Sequence, residues 1–249
     1  MAKSFIVSIF IRSNINTYIM KIGNLIVEVT RKCNIYCDHC LRGEPMNVNM
    51  KKEYIDSLLN QVDSIGSVCF SGGEPTLNLS IMEYFLDQCK DRRIDIGSFY
   101  IVTNGKNVAV NFVSFLLKLY SYCDDKESCS VQVSNDYYHK IECTYDISML
   151  EGLKFFSKKY GKDGYDYDND TFLKTEGRRE GKKNKPIVID EKRITVNEFE
   201  DEVEVYLNCK GEIINGCDWS YTNQKLHKLC DVGELSNYYQ ELIDSEVYS

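Results

Sequence analysis

No apolar run in this chain is long enough to cross a bilayer. The longest one near the start, FIVSIFI from Phe5 to Ile11, ends at Arg12 after seven residues, whereas a spanning helix takes about 20. It follows Lys3 as the core of a short signal would, but no small-residue cleavage site comes after it, and it reads as a strand. Positive charge is also scarce: 30 Lys and Arg against 38 Asp and Glu leave a net charge of −8. That balance excludes broad binding to nucleic acid or to an anionic membrane as the main function. Cysteine is too sparse for a disulfide scaffold, with eleven in 249 residues, roughly 4% where such scaffolds exceed about 8 to 10%. Their odd number leaves thiols free or metal-bound, which points to the reducing cytoplasm. Long internal repeats and low-complexity linkers are absent.

With 43% apolar and 27% charged residues, the composition is that of a folded chain with a sizeable core. From Leu25 onward, short β-branched runs alternate with amphipathic stretches, the pattern of a parallel sheet covered by helices. The strands are LIVEVT (Leu25 to Thr30), SVCFS (Ser67 to Ser71), FYIVT (Phe99 to Thr103) and SVQVS (Ser130 to Ser134). Between them, helical spacing groups Tyr54, Ile55, Leu58, Leu59 and Val62, then Ile81, Met82, Phe85, Leu86 and Cys89, then Phe112, Val113, Leu116, Leu117 and Tyr120. Each set is one buried helix face. Strands recurring at the length of a βαβ unit predict an α/β fold of barrel or partial-barrel type. A fourth helix is expected over Ile147 to Tyr160. The stretches from Asp163 to Asp170 and from Gly177 to Lys185 read as solvated loop, and Val203 to Asn215 as a hairpin followed by a helix over LSNYYQELI. The expected organisation is an N-terminal strand region over 1–24, a core over 25–165, and an extension over 166–249 with the last barrel elements, hairpin and helix.

The sharpest chemical feature follows the first strand. TRKCNIYCDHC places Cys33, Cys37 and Cys40 as C-x3-C-x2-C. Three soft ligands in one loop suit zinc or an iron–sulfur centre, and the second CxxC or HxxxH of a zinc knuckle is missing. SGGEP (Ser71 to Pro75), TNG (Thr103 to Gly105) and SND (Ser134 to Asp136) each follow a later strand. In a barrel of parallel strands these loops share the face where active sites form. Gly72 and Gly73 let backbone groups approach closely, and Glu74 suits an ammonium group. Asn104 and Ser134 suit ribose hydroxyls.

Together these motifs resemble the radical S-adenosylmethionine (SAM) enzymes: CNIYCDHC their cluster motif, GGEP their methionine-amino motif, IVTNG and VQVSND their ribose-contacting strand ends. The resemblance covers roughly Leu25 to Asp136. It implies a [4Fe-4S] cluster on Cys33, Cys37 and Cys40, with SAM chelating the open iron through its amino and carboxylate groups. The reduced cluster would cleave the sulfonium to methionine and a 5′-deoxyadenosyl radical that abstracts a substrate hydrogen. It further implies a partial (β/α)6 TIM-like barrel, His39 against the adenine, and a flavodoxin- or ferredoxin-type electron donor.

Other positions carry two readings. Asp136 and His139, in SNDYYHK, are candidate catalytic residues at the mouth of the site or plain surface residues. GRREG resembles a Gly-Arg element whose arginine, here Arg178, neutralises the SAM carboxylate; the alternative is a solvated loop. Cys69 and Cys89 read as inert buried thiols, and Cys123, Cys129 and Cys143 likewise. The hairpin NCKGEIINGCDWSY looks like the start of the auxiliary-cluster extension called SPASM, or its shorter twitch form, which makes Cys209, Cys217 and Cys230 candidates for a second cluster. Five residues rather than four separate Gly211 from Cys217, and no CxxC run follows, so unmetallated thiols are the other reading. The hairpin leans towards a peptide or protein substrate. A small molecule or nucleoside is the alternative, and a non-catalytic zinc or iron–sulfur module is the reading from a different class.

Overall fold

The computed structural model describes residues 19–134, 139, 146–159, 176–179, 196–197 and 202–247. Its centre is one sheet in which six neighbouring strands run parallel. In spatial order these are β5 (Phe156–Lys159), β4 (Ser130–Ser134), β3 (Asp95–Thr103), β2 (Val62–Gly72), β1 (Met20–Thr30) and β7 (Glu202–Leu207). Two antiparallel strands, β8 (Glu212–Ile214) and β9 (Lys228–Asp231), extend the sheet beyond β7, and β6 (Val196–Asn197) pairs antiparallel with β7 as well. The described sheet is open, with β5 and β9 at its ends. This is the expected partial α/β barrel, with its sixth parallel strand placed beside β1.

Strand alternation sorts the two faces. Leu25, Val27 and Val29 of β1, Val68 and Phe70 of β2, Phe99 and Ile101 of β3, and Val131 of β4 are at most 1% exposed. They pack against the apolar stripes of α1 (Lys52–Leu59), α2 (Leu79–Arg92) and α3 (Val110–Tyr122). Each such side chain, once buried, contributes roughly 1.5 to 3 kcal/mol against the entropy of folding. Phe70 meets Phe85 and Phe115 edge-on, with ring centroids 5.4 and 5.9 Å apart. The opposite face is largely polar, half-buried from Ile26 across to Ser157 and buried at Glu28 and Tyr206. Register aligns Tyr206, Ile26, Cys69, Tyr100 and Ser130 in one row, and Val102, Gln132 and Ser157 in part of the next. This is the concave side of the partial barrel.

The first three helices form where the apolar spacing puts them, but Val62, grouped with the first, already begins β2, and Leu117, grouped with the third, is exposed while Phe115 and Leu119 are buried. The fourth does not: only Ser148–Glu151, here α4, is helical, and Phe156–Lys159 pairs with β4 as β5. Gly152 ends the helix, and the Phe155 carbonyl accepts the Val131 N–H, so the free edge of β4 recruits this segment into the sheet. The hairpin and final helix, α5 (Leu235–Val247), form as expected. Gln61 fastens this C-terminal part to α1, donating to the Val232 carbonyl and accepting from the Ser236 N–H, both at 2.8 Å. Among the described residues no helix is long and apolar enough to cross a membrane. The strand expected at Phe5 to Ile11, together with Asp136, Cys143 and the stretches from Asp163 to Asp170 and from Lys182 to Lys185, lies outside the described residues.

Candidate active site

The loops leaving β1, β2 and β3 meet at the three-cysteine segment. Cys37 is buried, and Cys33 and Cys40 are half-buried. The Cys40 N–H donates to the Cys37 carbonyl at 3.1 Å, and the Gly43 N–H to that of Cys40 at 3.2 Å, which folds the second half of the motif into tight turns. Burial, with the neighbouring charges of Glu74 and Cys40, holds the Cys33 thiol above its ordinary range. No three His, Cys, Asp or Glu side chains among the described residues gather closely enough for a single ion.

The two glycines after β2 pack against this segment. A Cβ on Gly72 would lie 2.2 Å from the Thr30 carbonyl oxygen, and one on Gly73 2.3 Å from that of Lys32. Only glycine allows the approach, which the Gly73 N–H to Thr30 and Glu74 N–H to Lys32 hydrogen bonds, at 2.9 and 2.8 Å, then lock. Glu74 itself is 1% exposed. One carboxylate oxygen accepts from the Thr76 N–H and from the Thr76 and Thr103 hydroxyls, and the other from the Asn104 N–H. It caps the 3-10 turn Pro75–Asn78 and joins the ends of β2 and β3. Burial pushes its carboxyl pKa up even though these donors favour the charged form. Glu74 thus forms a buried, hydrogen-bonded joint between two strand ends.

Asn104 reaches back to the cysteines. Its side-chain N–H donates to the Asn34 side-chain oxygen at 2.8 Å and lies 4.0 Å from the Cys33 sulfur. His139 joins from beyond β4: its Nε2 is 3.8 Å from the Cys37 sulfur, and its ring meets that of His39 edge-on at 5.4 Å. Ser134 ends β4 half-buried, on the same face as Gln132. Arg178 is far from solvated, with its side chain 10% exposed. Its Nε donates to the Cys37 carbonyl at 2.7 Å, and its backbone N–H to that of Cys40 at 3.1 Å.

The cysteines of the C-terminal hairpin do not converge. Cys209 and Cys230 are 2% and 8% exposed in the main core, whereas Cys217 packs against a separate cluster of Tyr206, Ile214 and Trp219. Burial, then the Glu28 charge, pushes the Cys209 thiol well up, and burial above all pushes Cys230 up to about 12. Cys89 is buried as expected, with its thiol also pushed up to about 12, but Cys69 is half-buried on the concave face.

Reading the motifs misses a buried network beneath the cysteine segment. Glu28 accepts from Arg31, Tyr206 and Gln224 at 2.7, 2.7 and 2.8 Å. Arg31 also donates to Gln224 and lies under the Tyr221 ring, 4.5 Å from its centroid. The available signal is the single carboxylate of β1, set between Val27 and Val29.

Comparisons agree with this geometry. Residues 27–166 match the model of the Radical SAM superfamily. The uncharacterized protein MJ0907 of Methanocaldococcus jannaschii is 39% identical over 83 residues, which are 32% of this chain and 29% of that protein. The chain spans less than a third of the length of the curated relatives it matches. Among solved structures, BtrN in complex with AdoMet and 2-DOIA is similar in fold, with a TM-score of 0.51 and 18% identity over 88% of this chain and 82% of that one. Native anSMEcpe with bound AdoMet and Cp18Cys peptide has a TM-score of 0.46 at 12% identity, over 88% and 79% of the two chains. With a family model matched over more than half its length and three strand-end loops closed on a three-cysteine segment, this chain belongs to the radical SAM superfamily.

Proposed function

We propose that this protein is a radical SAM enzyme whose Cys33, Cys37 and Cys40 hold a [4Fe-4S] cluster. The observation that carries the reading is the closure of the β2 and β3 loops onto the cysteine segment through Gly73, Glu74 and Asn104. The donor set fits the group. Three soft thiol ligands held in one tightly turned loop suit an iron–sulfur centre. Two of them also have a side-chain nitrogen beside the sulfur, that of Asn104 at Cys33 and that of His139 at Cys37, where iron–sulfur ligands take their supporting hydrogen bonds.

When bound, the reduced cluster supplies the electron that splits SAM into methionine and a hydrogen-abstracting 5′-deoxyadenosyl radical. The chain's own residues bind and orient. The strand-end backbone at Gly72 and Gly73 receives the methionine end, Asn104 and Ser134 face the ribose, and His39 borders the adenine. Glu74 keeps Asn104 in place by holding its N–H. The three thiols leave one iron open for SAM.

For the substrate we infer a peptide or protein segment lying along the concave face. Among the described residues the sheet is open and the face carrying Ile26, Cys69, Tyr100, Ser130 and Gln132 is half-buried, which supports this reading. An electron donor of flavodoxin or ferredoxin type completes the system. Anaerobic reconstitution followed by iron and sulfide analysis tests the cofactor: about four of each per chain are expected, and one zinc without sulfide would refute it. A short peptide encoded beside this gene should then stimulate SAM cleavage and change in mass; stimulation only by a small molecule would move the substrate to that class.

A further inference from the structure

A remote turn grips the cysteine segment by its backbone. Gly177, with φ of 62°, begins the turn Gly177–Arg179. A Cβ there would lie 2.3 and 2.4 Å from the carbonyl oxygens of Cys40 and Leu41, so no other residue can sit this close. Arg178 then bonds to two cysteine carbonyls, its N–H to Cys40 at 3.1 Å and its Nε to Cys37 at 2.7 Å. Its guanidinium is stacked 3.8 Å from the centroid of the Tyr36 ring, between those two cysteines and Cys33 in sequence. One Nη is 3.6 Å from the Glu44 carboxylate yet buried without a hydrogen-bond partner. On the other side of the turn, Glu176 accepts from the Ser220 N–H and the Asn223 side chain, both at 2.9 Å, anchoring it to the C-terminal loop.

We propose that Arg178 is a positioning residue for the iron–sulfur centre, fixing the spacing of Cys37 and Cys40 and placing a buried positive charge beside the cluster. The proposal rests on the cluster reading above. Reduction adds one electron to the centre, from a mediator in the test below, with no bond made or broken. A cation held in a low-dielectric setting stabilises the more negative state and raises the potential. Glu44, the anion nearest the guanidinium, is 64% exposed, so solvent screens it more than it screens Arg178.

The test compares wild type with Arg178→Met and Arg178→Lys, each reconstituted without SAM. Two quantities are read: the rate of iron loss to a chelator, and the midpoint potential from a mediator titration followed by electron paramagnetic resonance. Arg178→Met is expected to lose iron at least about tenfold faster, the scale of changes in groups that support metal ligands, and to have a lower potential. Arg178→Lys, which restores charge without the fork, is expected to recover the potential while still losing iron faster than wild type. Wild-type iron retention in Arg178→Met would overturn the positioning role, and a wild-type potential the electrostatic one. If Arg178→Met does not fold, Arg178→Lys decides: wild-type retention would overturn the grip. A wild type that takes up no iron defeats the cluster reading itself, which separates the two failures.

Discussion

Arg31 donates to the carboxylate of Glu28 across 2.7 Å, in an ion pair whose side chains are 1% and 0% exposed. The pair links the strand that enters the cysteine segment to Tyr206 of β7 and to Gln224 of the C-terminal part. Burial alone would raise the Glu28 pKa. The charges of Arg31 and Arg42 and the Gln224 hydrogen bond outweigh it and hold the carboxyl below its ordinary range. Glu28→Gln leaves Arg31 charged and buried, which is expected to cost roughly 3 to 5 kcal/mol in denaturant unfolding. Because the folded pKa is depressed, the carboxylate's contribution is full above the unfolded value of about 4.3 and is lost as the pH falls through the lower folded value. The gap between wild type and Glu28→Gln should therefore narrow in acid; a gap that widens below that pH would contradict the assignment.

Glu74→Ala removes the acceptor shared by Thr76, Thr103 and Asn104. Buried N–H groups left without a partner cost about 1 to 3 kcal/mol each, so a loss on that order is expected in thermal or urea unfolding. Iron uptake should fall as well, because the Asn104 loop loses its anchor beside Cys33. An Ala variant as stable as wild type would mean that these four donors find other acceptors.

His139→Phe keeps an aromatic ring against His39 but removes the nitrogen beside the Cys37 sulfur. Hydrogen bonds to cluster sulfurs raise the potential. The variant is expected to load iron normally and to reduce at a lower potential in a mediator titration. An unchanged potential would leave His139 as a packing residue only.

The Cys209→Ala, Cys217→Ala double variant should retain the full iron content of wild type, since those side chains occupy different apolar clusters. Loss of about half the iron on analysis would restore the second-cluster reading.

Much of this arrangement was legible in the chain because the signals were local. The alternation of Ser130 to Ser134 predicts β4 to the residue, and the apolar spacing from Phe112 to Tyr120 predicts that α3 forms, although its buried face turns on Phe112, Phe115, Leu116 and Leu119 while Leu117 is exposed. The end of the fourth helix was not legible, because an unpaired sheet edge decides it: Phe155 and Phe156 satisfy helical spacing until β4 offers them a partner. The site divides in the same way. Motif spacing reveals the cysteines, GGEP and TNG, but the use made of each side chain depends on distant partners. Glu28 meets Tyr206 and Gln224 across separations of 178 and 196 residues. Arg178 finds the Cys37 carbonyl 141 residues away, a contact that neither the Gly-Arg resemblance nor the basic residues around it reveal.

The most direct test of the central claim is 5′-deoxyadenosine formation by the anaerobically reconstituted, dithionite-reduced protein given SAM and the candidate substrate. The control is the Cys33→Ala, Cys37→Ala, Cys40→Ala variant. Product from the wild type and none from the variant is the predicted result. Wild type shown to carry about four irons that makes no more product than the triple variant would contradict it.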